Sequence, residues 1–186
     1  MSQIDLKEVA YHEAGHAVIG FLFYPPVEVT IEPHYTGDGR FLGATIVNLP
    51  CPLIFDDFHN KLCFRLYLKI AIYIWAGEYF QKKVARKIDD AGLKVDNDAF
   101  TIYFNEKQLK VFESFKDGIL EIFFGNEIIT EMVNILAKEL LKSEKLGHKQ
   151  IESLLSMYNF DYGKQLELLM DKYYVPICEK YDELIN

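Results

Sequence analysis

The sequence predicts a mostly helical α+β fold, in which one long buried helix is followed by a small β-hairpin and then by a helical bundle. Three observations support this fold class. Apolar residues recur at helical spacing over about residues 2–23. Residues 27–50 contain two strand-like segments around a glycine-containing turn, which is typical of paired strands. The rest of the chain consists mainly of segments with helical periodicity, interrupted by Gly125 and Gly147.

The first helix is predicted over about residues 2–23. Ser2 and Asp5 stand three residues apart, as in a capping box with aspartate in place of the usual glutamate or glutamine. Apolar residues then follow at helical spacing. Pro25 and Pro26 end the helix, because proline has no backbone N–H to donate to it.

The hairpin is predicted from two segments on either side of a turn. In "VEVTIEP", Val27, Val29 and Ile31 alternate with polar residues, which indicates a half-buried strand. "HYTGDG" has the glycines and the aspartate of a turn. "RFLGATIVNLP" over residues 40–50 is the returning strand, and prolines at positions 50 and 52 end it.

The helical bundle is predicted to begin with a long helix that Asp56 and Asp57 can cap and that ends near Ile88. The stretch "DDAGLKVDND" is predicted to be a loop, with a helix starting near Asp96. Further helices are predicted over residues 106–124, 127–143, 148–158 and 163–184.

Length and charge restrict the class of protein. The 186 residues can bury a full core, and we interpret them as one domain over residues 1–186. Residues 1–105 contain the first helix and the hairpin, and residues 106–186 form a helical C-terminal part. The net charge of −8, without a basic cluster, disfavours nucleic acid as a partner.

Cysteine usage and hydropathy predict a soluble, cytoplasmic protein. The three cysteines include no C-x-x-C pair, which fits a reducing compartment. The N-terminus has no signal-peptide pattern. The most hydrophobic window, over residues 62–80, contains Arg65, Lys69 and Glu78, and three charges disfavour a membrane span.

The first helix contains "HEAGH", which places three polar side chains within an apolar run. His12 and His16 are four residues apart, so on a helix they lie on one face, one turn apart. Imidazoles arranged in this way can bind one zinc ion, and Glu13 beside them can accept a proton from water. The motif therefore predicts two zinc ligands, His12 and His16, and a general base, Glu13. The alternative is a helix whose buried histidines are satisfied by their neighbours.

A catalytic zinc site usually has three protein ligands, so a third ligand is expected elsewhere in the chain. The metzincin pattern requires a glycine and a histidine where this chain has Ile19 and Leu22, so that class is excluded. Glu32 lies at a suitable distance along the sequence, but it stands in a strand segment beside Pro33, which disfavours it.

The segment "VAYHEAGHAVIG" closely resembles the zinc-site helix of the FtsH-type ATP-dependent proteases. The strand pair, the segment "IWAGEYFQKKV" and the segment "LLKSEKLGHKQIESLL" are similar to later parts of that family, so the resemblance covers most of the chain. "VDND" is similar to the family's "SND" turn, whose aspartate is a zinc ligand. The resemblance implies that Asp98 is the third zinc ligand, with Asp96 as the alternative. A carboxylate in the first turn of a helix is also held ionised by the helix dipole, although both aspartates could simply cap that helix.

Two features depart from the family. Gln81 and Lys82 stand where the family has paired glutamates, and the sequence has no G-x-x-x-x-G-K-[ST] nucleotide-binding motif. The chain therefore looks like the peptidase domain alone.

These observations predict a zinc metalloendopeptidase that cleaves extended or unfolded polypeptides without ATP. Residues 41–48 could hold an extended substrate by β-addition, or could form an ordinary core strand. Two alternatives stay open: a non-catalytic helical protein that binds zinc, and a peptidase-like subunit that acts with a separate ATPase or another partner. A homo-oligomer is compatible with each of them.

Overall fold

The computed structural model of the chain describes residues 6–36, 39–50, 58–84 and 90–185. These residues form seven helices and a three-stranded antiparallel sheet, which confirms the mostly helical α+β class. In chain order the elements are α1 (Leu6–Phe23), β1 (Val27–Thr36), β2 (Gly39–Val47), α2 (Lys61–Val84), α3 (Asp90–Tyr103), α4 (Glu106–Phe124), α5 (Glu127–Ser143), β3 (Lys145–Leu146), α6 (His148–Leu155) and α7 (Tyr162–Ile185).

Helix α1 lies at the centre of the fold and contacts α2, α5, β1 and β2. Every residue from Val9 to Gly20 except Tyr11 is buried. A helix enclosed on all sides requires apolar or small residues at nearly every position, which explains the alanines, glycines and aliphatic residues of this segment. The predicted capping residues Ser2 and Asp5 lie outside the described residues.

Strands β1 and β2 form the predicted hairpin, with Val27 opposite Val47 and Val29 opposite Thr45. A third strand was not predicted. Val29 of β1 also pairs with Leu146 of β3, so the strand order is β2–β1–β3 and β2 is an edge strand. Because β3 has only two residues, it is too short to show the alternation that reveals a strand in a sequence.

Helix α2 begins at Lys61, where the Asn60 side chain accepts a hydrogen bond from the backbone N–H of Leu62 over 2.9 Å. Such a bond satisfies one of the free N–H groups at a helix start. The predicted caps Asp56 and Asp57 and the predicted end at Ile88 lie outside the described residues. No helix in the described part of the chain is both long enough and apolar enough to span a membrane.

Helix α3 differs from the sequence prediction, because the stretch expected to be a loop is helical from Asp90 onward. The loop prediction was wrong here: Gly92 and the aspartates of this stretch have low helix propensity, but propensity is a weak tendency that packing overrides. Phe100 in the second half of α3 is buried and its ring lies 5.6 Å from that of Trp75 in α2. This contact attaches α3 to the core.

Helices α4 and α5 have the predicted bounds. Asn105 and Asn126 precede them, and each side chain accepts a backbone N–H from the first turn of its helix. The last two helices agree less closely with the prediction. α6 ends at Leu155 instead of about residue 158, and α7 extends from Tyr162 to Ile185 with Pro176 inside it.

Candidate metal centre

Helix α1 presents two imidazole rings at one point. His12 and His16 are both buried, and their Nε2 atoms are 3.2 Å apart. The two rings meet edge to face, with centroids 4.8 Å apart. The four-residue spacing therefore brings both nitrogens to the same face of the helix, as the motif predicted.

Asp96 of α3 completes this group. Its Oδ2 atom lies 3.3 Å from the Nε2 atom of His12 and 3.2 Å from the Nε2 atom of His16. Within the described parts of the chain, His12, His16 and Asp96 are the group of side chains that could hold a metal ion together.

The geometry reverses the order of preference between the two aspartates. The side chain of Asp98 is exposed and lies outside the group, and its backbone carbonyl accepts a hydrogen bond from the Thr101 hydroxyl. Residues two apart on a helix point in nearly opposite directions, so only one of these aspartates can face α1. Asp96 also stands within α3 and not in its first turn, so the helix-dipole argument does not apply to it. Glu32, the disfavoured third candidate, is exposed on β1.

Both imidazoles are held through their other ring nitrogen. The Nδ1 atom of His12 lies 3.0 Å from Oε1 of Gln81, and that of His16 lies 2.9 Å from the backbone carbonyl of Tyr73. Both partner atoms, an amide oxygen and a backbone carbonyl oxygen, are acceptors, so each Nδ1 carries the hydrogen and donates it. The lone pair of each neutral ring is then on Nε2, which is the tautomer that a metal ligand needs here.

Gln81 therefore has a defined place in the site. Gln81 is one of the two residues that depart from the paired glutamates of the family that the sequence resembles. In the structure the buried Gln81 amide oxygen accepts the His12 N–H, which is what a carboxylate at this position would do.

Two glycines allow α1 and α2 to approach each other at the site. A Cβ atom on Gly77 of α2 would lie 2.3 Å from Nε2 of His16 and 2.7 Å from Nε2 of His12. A Cβ atom on Gly15 of α1 would lie 2.7 Å from the backbone oxygen of Ala76. Any larger side chain at either position would force the helices or the imidazoles apart.

The charges of the three side chains depend on one another. Burial lowers the pKa of His16, but the charge and hydrogen bond of Asp96, together with the Glu13 charge and the Tyr73 carbonyl, outweigh burial and raise this pKa to about 9. Burial likewise raises the pKa of Asp96, and the two histidines overcome it and hold the pKa well below its usual value. The metal-free site therefore keeps an ionised aspartate against a protonated imidazole.

Glu13 points away from this group toward the sheet. Its Oε2 atom accepts a hydrogen bond of 2.8 Å from the Thr45 hydroxyl of β2. Gly43 of β2, with φ of 90°, lies so close that a Cβ atom there would be 2.8 Å from Oε1 of Glu13. Burial raises the pKa of Glu13, although the nearby histidines oppose the shift. A carboxyl group with a raised pKa is a stronger base once it is ionised.

The three ligand atoms fit a zinc ion. Bonds of roughly 2.0–2.1 Å in tetrahedral geometry separate neighbouring ligand atoms by about 3.3–3.4 Å. The observed separations are 3.2, 3.2 and 3.3 Å. Two imidazole nitrogens and one carboxylate oxygen also form a common ligand set of catalytic zinc, with a fourth position left for water.

Several residues of this site were not predicted from the sequence. Tyr73, Gly77 and Gln81 are spaced four residues apart and form one face of α2, and Gly43 and Thr45 meet Glu13 from β2. The described residues include six buried polar or charged side chains, namely His12, Glu13, His16, Thr30, Gln81 and Gln108. Four of these six belong to this site. A glutamine within the apolar face of α2 was the signal in the sequence that could have revealed the contact.

Comparisons of the chain with models of protein families, with curated proteins and with solved structures gave no match. The chemistry of the site is therefore the basis for a functional proposal.

Proposed function

We propose that this chain is a zinc-dependent metallopeptidase of the FtsH peptidase type, with His12, His16 and Asp96 as the zinc ligands. The observation that carries the proposal is the triangle formed by the two Nε2 atoms and Oδ2 of Asp96. The buried carboxylate of Glu13 lies next to this triangle but is not one of its three corners. A site that only stabilises a fold needs no such additional base.

Bound zinc would supply a Lewis acid that makes water more acidic and polarises a carbonyl group. Glu13 accepts a proton from the attacking water and later transfers it to the leaving nitrogen. The water oxygen forms a bond to the carbonyl carbon and the C–N bond breaks, which yields a carboxylic acid and an amine. The Thr45 hydroxyl holds the Glu13 carboxylate in place through their hydrogen bond.

The position of β2 supports an extended peptide as substrate. β2 is one of the two edge strands of the described sheet, and its residues Gly43 and Thr45 lie against Glu13. A peptide that adds to this edge as a fourth strand would pass beside the general base. Because strand addition requires free N–H and C=O groups, unfolded chains are suitable substrates and stably folded proteins are not.

Two alternatives to the proposal keep the same zinc site. In the first, the protein binds zinc without catalysis, and Glu13 is only a buried carboxyl group bonded to Thr45. In the second, the chain is a subunit that cleaves substrates delivered by a separate ATPase.

The test uses the purified chain, a library of short peptides, an unfolded protein and a tightly folded protein, each with and without ATP and magnesium. We expect ATP-independent cleavage of peptides and of the unfolded protein, abolished by a strong chelator and restored by zinc. Glu13→Gln should keep its zinc and lose hydrolysis, and Glu32→Gln, which alters an exposed carboxylate, should retain both.

The outcomes separate the alternatives. Bound zinc without cleavage of any substrate would favour the non-catalytic protein. Cleavage only after a separate ATPase is added would favour the subunit. Turnover of Glu13→Gln within a few-fold of the wild type would refute the role of Glu13.

A further inference from the structure

Tyr73 of α2 contacts the metal centre without being one of its ligands. Its backbone carbonyl accepts the Nδ1 hydrogen of His16, and its ring lies 5.1 Å from the His16 ring, tilted by 45°. Tyr73 stands one helical turn before Gly77, the residue that lies against the Nε2 atoms. Tyr73 is 8% exposed, so it is almost wholly buried beside His16.

The Tyr73 hydroxyl has no hydrogen-bond partner among the described residues. The neighbouring Tyr24 also has an unpaired hydroxyl, and that oxygen is fully enclosed. A phenol that is almost wholly buried usually finds a partner, because an unpaired buried hydroxyl is unfavourable.

The surroundings show what kind of partner the hydroxyl would accept. A phenol is protonated at neutral pH, and the Tyr73 ring packs on the ring of His16, a proposed ligand of the site. The hydroxyl can therefore donate a hydrogen bond to an acceptor that binds beside the ligands.

We propose that the Tyr73 hydroxyl donates a hydrogen bond to the scissile carbonyl oxygen as this oxygen gains negative charge during hydrolysis. Tyr73 would then be a further catalytic residue. This inference rests on the peptidase function proposed above, and it adds a donor that stabilises the transition state.

The physical reason is that a donor fixed where charge develops stabilises the transition state more than the ground state. The Tyr73 ring is fixed by its contacts with His16 and with Tyr24, whose ring lies 6.1 Å away. The donor is thus held in place before the substrate binds, and its orientation costs little during the reaction.

The test is Tyr73→Phe, which removes the hydroxyl and retains the ring. We expect kcat to fall by about 100- to 1,000-fold, the usual effect of losing one such donor, with KM changed much less. Zinc content should equal that of the wild type, because the backbone carbonyl that holds His16 is unchanged. Binding of a phosphinic peptide, whose oxygens imitate the charged transition state, should weaken by a similar factor.

Tyr79→Phe is the matched control. Tyr79 is on the same helix, but its ring packs on Phe80 and Phe124, with centroid distances of 5.1 and 4.8 Å. This variant should keep the wild-type kcat and phosphinic peptide affinity.

Three results would overturn the inference, and they can be told apart. If Tyr73→Phe cleaves as fast as the wild type, the hydroxyl is not a catalytic donor, although the peptidase function stands. If Tyr73→Phe loses zinc together with activity, Tyr73 positions His16 and has no separate role. If the wild type neither cleaves peptides nor binds the phosphinic peptide, the peptidase function fails and the role of Tyr73 fails with it.

Discussion

Gly77 and His16 are in such close contact that a single methyl group would separate them. A Cβ atom on Gly77 would lie 2.3 Å from Nε2 of His16, far inside the sum of the atomic radii. The same atom would lie 2.7 Å from Nε2 of His12. The space beside the two nitrogens, which a metal ion needs, exists because α2 has no side chain at this point.

Gly77→Ala should therefore destroy the metal site. Loss of a side chain that hydrogen-bonds to a metal ligand typically lowers metal affinity by roughly 10- to 100-fold. We expect a larger fall in zinc affinity here, because the methyl group displaces both imidazoles. Alanine is about 1 kcal/mol more favourable than glycine within a helix, so helix propensity cannot explain a loss of zinc affinity. Competition with a chelator measures the affinity. Gly147→Ala is the control, because its Cβ would meet nothing closer than 3.8 Å, and equal affinities in both variants would contradict the prediction.

Asp96→Asn should lower zinc occupancy strongly, whereas Asp98→Asn should not. The reason is that Oδ2 of Asp96 lies 3.2–3.3 Å from both Nε2 atoms, while the Asp98 side chain is exposed. An amide also lacks the negative charge that balances the metal. Metal analysis after dialysis against a mild chelator compares the two variants. The opposite ranking would return the ligand to Asp98.

Gln81→Leu should weaken zinc binding by roughly 10- to 100-fold, because the His12 Nδ1 hydrogen loses its acceptor. Gln81→Glu should bind zinc as well as the wild type, since a carboxylate oxygen accepts the same hydrogen. Calorimetric titration of the metal-free variants measures both affinities. Equal affinity of all three proteins would show that Gln81 does not support His12.

Tyr24→Phe should raise the free energy of unfolding by about 1 kcal/mol, because it removes a buried hydroxyl without a hydrogen-bond partner. Tyr11→Phe is the matched comparison and should lower the free energy of unfolding by a similar amount. There the Tyr11 hydroxyl donates a 2.9 Å hydrogen bond to the Asn134 side chain. Urea denaturation distinguishes the two effects, and destabilisation by Tyr24→Phe would indicate that its hydroxyl has a partner.

The ion pair between α2 and α4 should make stability depend on pH. Burial raises the pKa of Glu78, but hydrogen bonds from Lys116, over 2.7 Å, and from Lys82 outweigh it and lower the pKa below 4.5. A carboxyl group whose pKa is lower in the folded than in the unfolded state stabilises the protein above about pH 4.5. This stabilisation is lost as the pH falls through the pKa of the folded state.

Glu78→Gln should accordingly destabilise the protein at pH 7 by less than about 1 kcal/mol, because the pair is partly exposed. The difference from the wild type should shrink in denaturant titrations as the pH falls below 4.5, because Glu78 is then protonated first in the unfolded state and, at lower pH, in the folded state. Glu139→Gln, which breaks an exposed pair with Lys142, should have a smaller effect at either pH. If the stability difference between Glu78→Gln and the wild type grows toward low pH, the Glu78 ion pair does not have this role.

The sequence by itself determined the features that depend on neighbouring residues. The spacing of His12 and His16 placed both rings on one helical face, and Asn105 and Asn126 set the starts of α4 and α5. Alternation around a turn revealed the hairpin. In each case the deciding interaction spans only a few residues, so helical and strand periodicity is sufficient to predict it.

Only the tertiary structure decided which distant residues meet the motif. Asp96 and Asp98 are both candidates in the sequence, and the rotation of α3 against α1 brings Asp96 beside the two histidines. Gln81 and Tyr73 support the histidines from 57 or more positions away in the sequence. The two-residue strand β3 exists only because its partner in β1 lies beside it. Such contacts are set by how whole elements pack around α1, and a local pattern contains no information about that packing.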